Sequence, residues 1–563
     1  MTDQVHDMSP PIDMTRRRET GPVRSTRPEY VALLPPCNST CPAGEDIAGW
    51  LGLAQAGRDR AAWEHLVRDN PFPSIHGRVC YHPCETACNR AELDSAVSIH
   101  AVERHLGDRA RAEGWPLPPC APASGKRVLI VGAGPCGLSA AFHLARLGHA
   151  VDVHEAGALP GGMLAYGIPA YRLPRDVLAQ EIAAIAALGV RFVFNHKVED
   201  VLAEEAAGRF DAVFVAIGTQ AGRHIEIPAR DAAQVVNAIG LLHDVAAAQA
   251  GAGHMPKLGR RVVIYGAGDT AMDAARTAER LGAVAPLIVF FSDRAHMEAH
   301  VAEAAEAESE GVKIKWLSSL RDIGATSLQV EIMALDAQGL PQPTGKFETL
   351  QADSVILALG QQAESAFLGQ VPGIVIGANG SVVIGPDMMT GHPGIFAGGD
   401  LVPSGRTVTT AVGHGKKAAR HIDGWIRGHA YIPPEKHGQV AFADLQLPIY
   451  ADAAPALQAE IAPALRQGFA EITAGLTAAE ARHEAQRCLS CGTCFECDNC
   501  FAACPEEAIS KLGPTHGYDI DMALCTGCAV CVEQCPCHAM EMVPEPRATV
   551  LAPPPTLFSG LLA

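Results

Sequence analysis

"RVLIVGAGPCGLSAAFHLARLGHAVDVHE" runs from Arg127 to Glu155. An apolar run of strand length breaks at a glycine-rich turn, resumes as a helical pattern and ends in a second apolar strand. Gly132, Gly134 and Gly137 set the spacing G-x-G-x-x-G. The three missing side chains serve a tight bend, the close approach of a pyrophosphate to backbone N–H groups, and helix–strand packing. Glu155 closes the second strand, where a carboxylate can accept ribose hydroxyls. A lone glycine motif is weak; here the strand, the helix and the acid all fall in place.

The design recurs in "RRVVIYGAGDTAMDAARTAERLGA" (Arg260–Ala283). Gly266, Gly268 and Ala271 form its phosphate turn, with Asp269 and Thr270 inside it, and Ala271, Ala274, Ala275 and Ala278 make a small-residue helix face. The strand-like "DSVILALG" ends at Gly360, another candidate at this nucleotide site. Further on, "GIFAGGDLVPSGRTVTTAVGHGKKAAR" places Asp400 after a glycine pair, just before a helix that begins near Thr409 and Thr410. In two-dinucleotide flavoproteins such an Asp binds the ribityl chain of FAD. The positive end of the helix dipole then faces the flavin.

Composition narrows the function classes. The chain has 563 residues, 48% of them apolar, so several well-packed domains are expected. A net charge of −18 argues against nucleic acid and against an anionic membrane surface. No apolar run reaches transmembrane length, and the arginines near the N-terminus precede no apolar core, which points to a cytoplasmic location. There, 18 cysteines read as metal ligands before disulfides.

Two cysteine runs repeat near the C-terminus. Cys494, Cys497, Cys500 and Cys504 precede Pro505; Cys525, Cys528, Cys531 and Cys535 precede Pro536. This C-x2-C-x2-C-x3-C-P spacing is that of bacterial two-cluster ferredoxins, in which the fourth thiolate crosses to the other cluster. Cys494, Cys497, Cys500 and Cys535 should hold one [4Fe–4S] cube, and Cys525, Cys528, Cys531 and Cys504 the other. Structural zinc uses two separated C-x2-C pairs and fits less well. Cys537 reads as a small buried side chain, and Cys120 as inert.

"PGGMLAYGIPAYRLP" (Pro160–Pro174), "DAVFVAIGT", "GAGDTAMDAARTA" and "GIFAGGD" together resemble the small (beta) subunit of glutamate synthase and its relatives, including the N-terminal half of dihydropyrimidine dehydrogenase. The resemblance runs from about Arg27 to Ile426. It implies an α/β fold with two Rossmann-like dinucleotide-binding domains, an N-terminal α-helical iron–sulfur domain and, here, a C-terminal ferredoxin-type domain. It places Gly162 and Met163 at FAD. The expected organisation is an arm at 1–28, a helical iron–sulfur domain at 29–118, and an FAD domain at 122–240 and 352–430. An NAD(P) domain spans 241–351. A linker with a helical segment after Asp452 covers 431–485, the ferredoxin domain 486–545 and a tail 546–563.

The family's N-terminal clusters need ligands this N-terminus only partly supplies. Cys37, Cys41, Cys80, Cys84 and Cys88 match the later part of the pattern, but the earlier C-x-x-C-G pair is absent and reappears as "RCLSCG" at Arg487. The resemblance therefore implies that Cys488 and Cys491 fold back to join Cys37 and Cys88. Cys41, Cys80 and Cys84 would hold the other cube, with Glu103 as a non-cysteine fourth ligand.

NADPH-using relatives carry an arginine pair after the second strand of the nucleotide domain. Here Phe291 and Ser292 stand there, followed by Asp293, with Arg294 alone remaining. A 2′-phosphate would meet a poor charge match, so NAD(H) is favoured over NADP(H). The implied activity is electron transfer between NAD(P)H, FAD and a chain of clusters, to or from a ferredoxin or a catalytic partner subunit in a hetero-oligomer. Glutamate synthase large subunit and 2-oxoacid:ferredoxin oxidoreductase are examples of such a partner. Alternatives are a bifurcating NAD(P)H:ferredoxin oxidoreductase subunit and a non-catalytic iron–sulfur sensor or scaffold.

Overall fold

The computed structural model describes residues 24–31, 33–222, 234–434, 437–513 and 516–545. The expected tail and the first 23 residues of the arm lie outside them.

Two parallel five-stranded sheets carry the molecule. In the first, the order is Ile395–Ala397, Ala212–Val215, Arg127–Val131, Ala150–His154, Arg191–Val193. Val128 to Val131 are buried, as a strand covered on both faces requires. Helix Pro135–Arg146 covers one face and crosses helix Val408–Arg427 at close range. Gly415 permits the crossing: a Cβ there would lie 2.3 Å from the Cys136 carbonyl oxygen.

The second sheet has the order Lys313–Lys315, Leu287–Val289, Val262–Tyr265, Ser354–Leu357, Gln234–Asn237, again all parallel. This corrects two boundaries. Ser354–Leu357 and Gln234–Asn237 were expected in the FAD domain but complete the nucleotide sheet, because the chain leaves and re-enters through the short antiparallel pair Ala221–Gly222 and Gln361–Gln362. An antiparallel layer of Ser318–Ile323, Ser327–Leu335 and Pro341–Gln351 packs on this sheet. Arg172, from the FAD side, bonds Asp273 at 2.9 Å and also pairs with Glu303, holding the two sheet units in register through buried charge.

The N-terminal helices, chiefly Ile47–Gln55, Asp59–Leu66, Pro73–Val79 and Ile99–Glu113, close around Trp50, Leu51, Leu66 and Leu106. A helix from far along the chain, Ala478–Gln486, docks into the same core with Ala485 fully buried. Its start is fixed by reciprocal bonding of Thr477 and Glu480.

Two expectations change here. The stretch after Asp452 is mostly irregular, with a single 3-10 turn at Pro463–Leu465 before helix Ala478–Gln486; prolines at 455 and 463 break the Ala-rich pattern. The end of the expected arm is strand Thr26–Tyr30, paired antiparallel with Met540–Pro544 of the ferredoxin module. Arg24 adds a bond to the Cys525 carbonyl at 2.7 Å.

Candidate redox site

The two glycine turns open onto one cavity of about 360 Å³. Gly132, Gly134, Glu155, Gly162, Met163 and Asp400 wall one side; Gly268, Asp269, Thr270 and Gly360 wall the other. A second cavity of about 390 Å³ continues past Glu155 along His154, Gly157 and Lys197.

The glycines divide by what surrounds them. Gly132 has φ +104°, and a Cβ there would lie 2.6 Å from the Ala216 carbonyl oxygen. A Cβ on Gly137 would sit 2.0 Å from the Gly132 oxygen. These two are required by the protein's own packing. Gly134 is different: a Cβ there meets nothing within 4 Å. Gly268 repeats this, with only Glu298 Oε2 at 3.9 Å. The middle glycine of each turn faces open cavity, the arrangement a pyrophosphate needs for backbone contact. The residues present therefore fit a dinucleotide at each turn.

Glu155 is buried, and its carboxylate accepts the Ala133 N–H at 2.8 Å and the Gly157 N–H at 2.7 Å. It orders the turn as well as presenting an acid at the cavity. Asp400 lies on the cavity wall, its carboxyl pushed upward by burial and only partly offset by Arg406.

The N-terminus of helix Val408–Arg427 does reach the cavity, but through Thr407, Val408 and Ala411 rather than Thr409 and Thr410. Thr410 is bound back to the capping Thr407, and the Thr409 hydroxyl donates to Cys80 Sγ at 3.1 Å. Helical spacing turns Thr409 away from the side that Val408 and Ala411 present. Nor do Ser292, Asp293 and Arg294 wall the cavity. Ser292 is buried, Asp293 holds the His296 ring at 2.6 Å, and Arg294 pairs with Glu308 at 2.9 Å.

The cysteines gather in groups. Burial raises the Cys37 thiol, followed by the neighbouring thiols of Cys488, Cys88 and Cys491. Burial and then Cys491 push Cys488 up to about 12. What brings this distant pair home is Arg487, itself buried. It bonds the carbonyls of Ala453, Ala96 and Ser95 and pairs with Glu484 and Asp94. Cys84 is raised by burial, then by Glu85, Cys80, Cys41 and Glu103. Cys494 feels Cys500, Cys535 and Cys497, and Cys504, Cys525, Cys528 and Cys531 share one pocket with Pro28. Thiols crowded and desolvated in this way are poor thiolates alone and good ligands once a cationic cluster offsets their charge.

Glu103 stands beside Cys41, Cys80 and Cys84, its Oε1 held by Asn70 at 2.8 Å. Asn70 also holds Glu45, which the sequence pattern does not single out, and His76 lies between the two acids. Glu45 follows Cys41 by four residues, and that spacing is its only signal. Tyr450 was likewise not singled out: it bonds the Leu489 carbonyl at 2.8 Å and faces Cys537, Cys491, Cys488 and Cys497, between two of the sets.

Residues 126–415 match the pyridine nucleotide-disulphide oxidoreductase family, residues 31–115 the 4Fe-4S cluster family of dihydropyrimidine dehydrogenase domain II, and residues 493–539 the 4Fe-4S dicluster domain. The chain belongs to the pyridine nucleotide-disulphide oxidoreductase family. This oxidoreductase is 34% identical over 81% of its length to the NADP(+)-dependent formate dehydrogenase subunit beta of Moorella thermoacetica, covering 70% of that protein. It is 31% identical to the NADPH-Fe(3+) oxidoreductase subunit beta of Geobacter sulfurreducens, over 81% of this chain and 75% of that one. With the glutamate synthase [NADPH] small chain of Azospirillum brasilense it shares 33% identity over 71% of its own length and 88% of that chain. It is an NAD(P)H-dependent FAD/iron–sulfur oxidoreductase that transfers electrons. Despite the family name, Cys136 is the one cysteine among the described residues of the cavity wall, so no cysteine pair faces the site as a redox disulphide would. Among the described residues no helix is long and apolar enough to cross a membrane.

Proposed function

We propose that this oxidoreductase is an ordered wire. Gly132, Gly134, Gly137, Glu155, Gly162, Met163 and Asp400 would hold FAD; Gly266, Gly268, Asp269, Thr270, Ala271 and Gly360 would hold the nicotinamide nucleotide. FAD, when bound, takes a hydride as an electron pair and releases the electrons singly, which is the conversion an iron–sulfur chain needs. The chain's own work is to stack the two nucleotides, exclude water and set the order of the cysteine sets.

That order follows from contacts. Val79 and Tyr81 wall the cavity on either side of Cys80, whose sulfur takes the Thr409 hydroxyl bond. Cys41, Cys80 and Cys84 with Glu103 therefore stand next to the flavin site. Cys37, Cys88, Cys488 and Cys491 come next, then across Tyr450 the set Cys494, Cys497, Cys500 and Cys535, and last Cys504, Cys525, Cys528 and Cys531. The Thr409–Cys80 contact is the observation that carries the reading, because it ties the flavin helix to the first ligand set.

The relatives are named as beta subunits or small chains, and we infer a catalytic oxidoreductase subunit or a ferredoxin as partner, met at the ferredoxin module in a hetero-oligomer. Such thiolate sites need a reducing compartment, which the cytoplasm provides. The relatives' names carry NADP(H) and so do not support the preference for NADH. Our reading keeps NADH because Arg294, engaged by Glu308 away from the cavity wall, is not offered to a 2′-phosphate.

The test is anaerobic. NADH should bleach the flavin and reduce an artificial one-electron acceptor; a protein that holds flavin and iron yet ignores reduced nicotinamide would overturn the proposal. Co-purification from native cells identifies the partner subunit.

A further inference from the structure

His154, His196 and Glu204 meet outside the redox path. His154 ends strand Ala150–His154, His196 lies in the loop after strand Arg191–Val193, and Glu204 sits in helix Val201–Gly208. One ligand atom from each falls within 4.8 Å of the other two. His196 Nε2 is 2.6 Å from one Glu204 oxygen, and His154 Nδ1 is 3.5 Å from the other. The two rings stand at 74° with centroids 4.7 Å apart, so they approach a common point from different directions.

We propose that these three residues form a site for a zinc-class divalent cation, at the wall of the second cavity beyond Glu155.

His196 is hydrogen-bonded to Glu204, whereas His154 stands only at ion-pair distance from it and makes no hydrogen bond through Nδ1. His154 is 8% exposed, and its Nδ1 is buried with no hydrogen-bond partner. A buried nitrogen left without a hydrogen bond is unfavourable. A cation between the three groups would satisfy it, use the second carboxylate oxygen and leave a position for water. Two imidazoles and one carboxylate are a donor set suited to zinc. Burial lowers the affinity of the His154 ring for protons, so it is available in the neutral form a metal requires.

The backbone prepares the site. Asn195 adopts a left-handed φ of +54°, and the N–H of His196 bonds the Glu155 carbonyl at 2.9 Å. These contacts turn the His196 ring back over the sheet. A bound cation would clip the His196–Val198 loop, which lines the cavity, to the strand and to the outer helix. Glu204 itself does not wall the cavity, so it can be changed without touching a nucleotide-facing group.

The test uses the intact holoprotein, stripped by mild chelation, equilibrated anaerobically with zinc alone and freed of excess. Zinc and iron are counted together by mass spectrometry. Wild type should keep a single zinc ion per chain, and Glu204→Gln and Glu204→Ala should fall to background with iron content unchanged. Zinc X-ray absorption on the wild type alone should show nitrogen and oxygen neighbours without sulfur, which decides the matter even if the variants fold poorly. No retained zinc in wild type, zinc kept by both variants, or sulfur in the zinc shell would each overturn the site.

Discussion

Gly134→Ala separates ligand binding from folding more cleanly than any other single change in the site. The backbone there has φ −74° and ψ 178°, ordinary for any residue, and the added methyl meets no protein atom within 4 Å. The cofactor-free protein should therefore lose nothing and could gain about 0.4–1 kcal/mol from a stiffer unfolded chain. A bound pyrophosphate, however, must approach where that methyl now lies. Each charge-assisted hydrogen bond lengthened or lost is worth about 1.5–3 kcal/mol. At about 1.4 kcal/mol per decade, one such loss weakens FAD binding roughly ten- to hundredfold. Gly132→Ala and Gly137→Ala provide the contrast: their methyls would collide with carbonyl oxygens at 2.6 and 2.0 Å, so both should destabilise the cofactor-free protein as well. Flavin fluorescence titration gives the affinity, and thermal melting of the flavin-free protein gives the stability. FAD binding by Gly134→Ala within about threefold of wild type would refute the argument. So would destabilisation of the flavin-free protein equal to that of Gly132→Ala.

Other outcomes follow from the same geometry. Replacing Cys488 and Cys491 together by Ser should remove about four irons per chain, and full iron retention would detach the pair from any cluster. Arg487→Ala leaves Glu484 buried without its partner, so it should cost about 3–5 kcal/mol; a melting shift too small for about 1 kcal/mol would deny it an anchoring role. Glu181 caps helix Pro73–Val79 by accepting the Ser74 N–H at 2.8 Å, and burial, outweighing the bonds from Ser74 and Ile75, lifts its carboxyl to about 7. Because the folded value is raised, its contribution is complete below the unfolded pKa of about 4.3 and is lost as pH rises through 7. Glu181→Gln should flatten the fall in melting temperature across that window, and an unchanged slope would count against the cause given. For nucleotide choice, KM for NADH should lie below KM for NADPH; the reverse order would assign the 2′-phosphate a partner other than Arg294.

Much of this was legible in the chain because each motif combines a local pattern with a chemical need. The Arg127–Glu155 stretch specifies strand, turn, helix and strand through periodicity and three glycines. The two ferredoxin runs are recognisable through spacing alone. What spacing cannot show is which side chains meet across hundreds of residues. The missing half of an N-terminal pattern points to Cys488, but the buried Arg487 that docks it is visible only in three dimensions. Val408 walls the cavity and Thr409 does not, because two adjacent helical residues point about 100° apart, and a sequence does not say which faces the cavity. The strand Ser354–Leu357 was given to the wrong sheet because chain order suggests the nearest motif, whereas pairing follows the crossover. Glu45 and Tyr450 carry no motif; proximity to the thiols is what marks them.

The ordered wire is tested most directly by rapid-freeze paramagnetic resonance of the Cys488→Ser, Cys491→Ser double variant, mixed anaerobically with NADH and separately with a strong chemical reductant. The account predicts that NADH still bleaches the flavin while the ferredoxin-module clusters stay oxidised, although the chemical reductant reduces them. Reduction of those clusters by NADH at the wild-type rate would show that electrons do not pass through the second set.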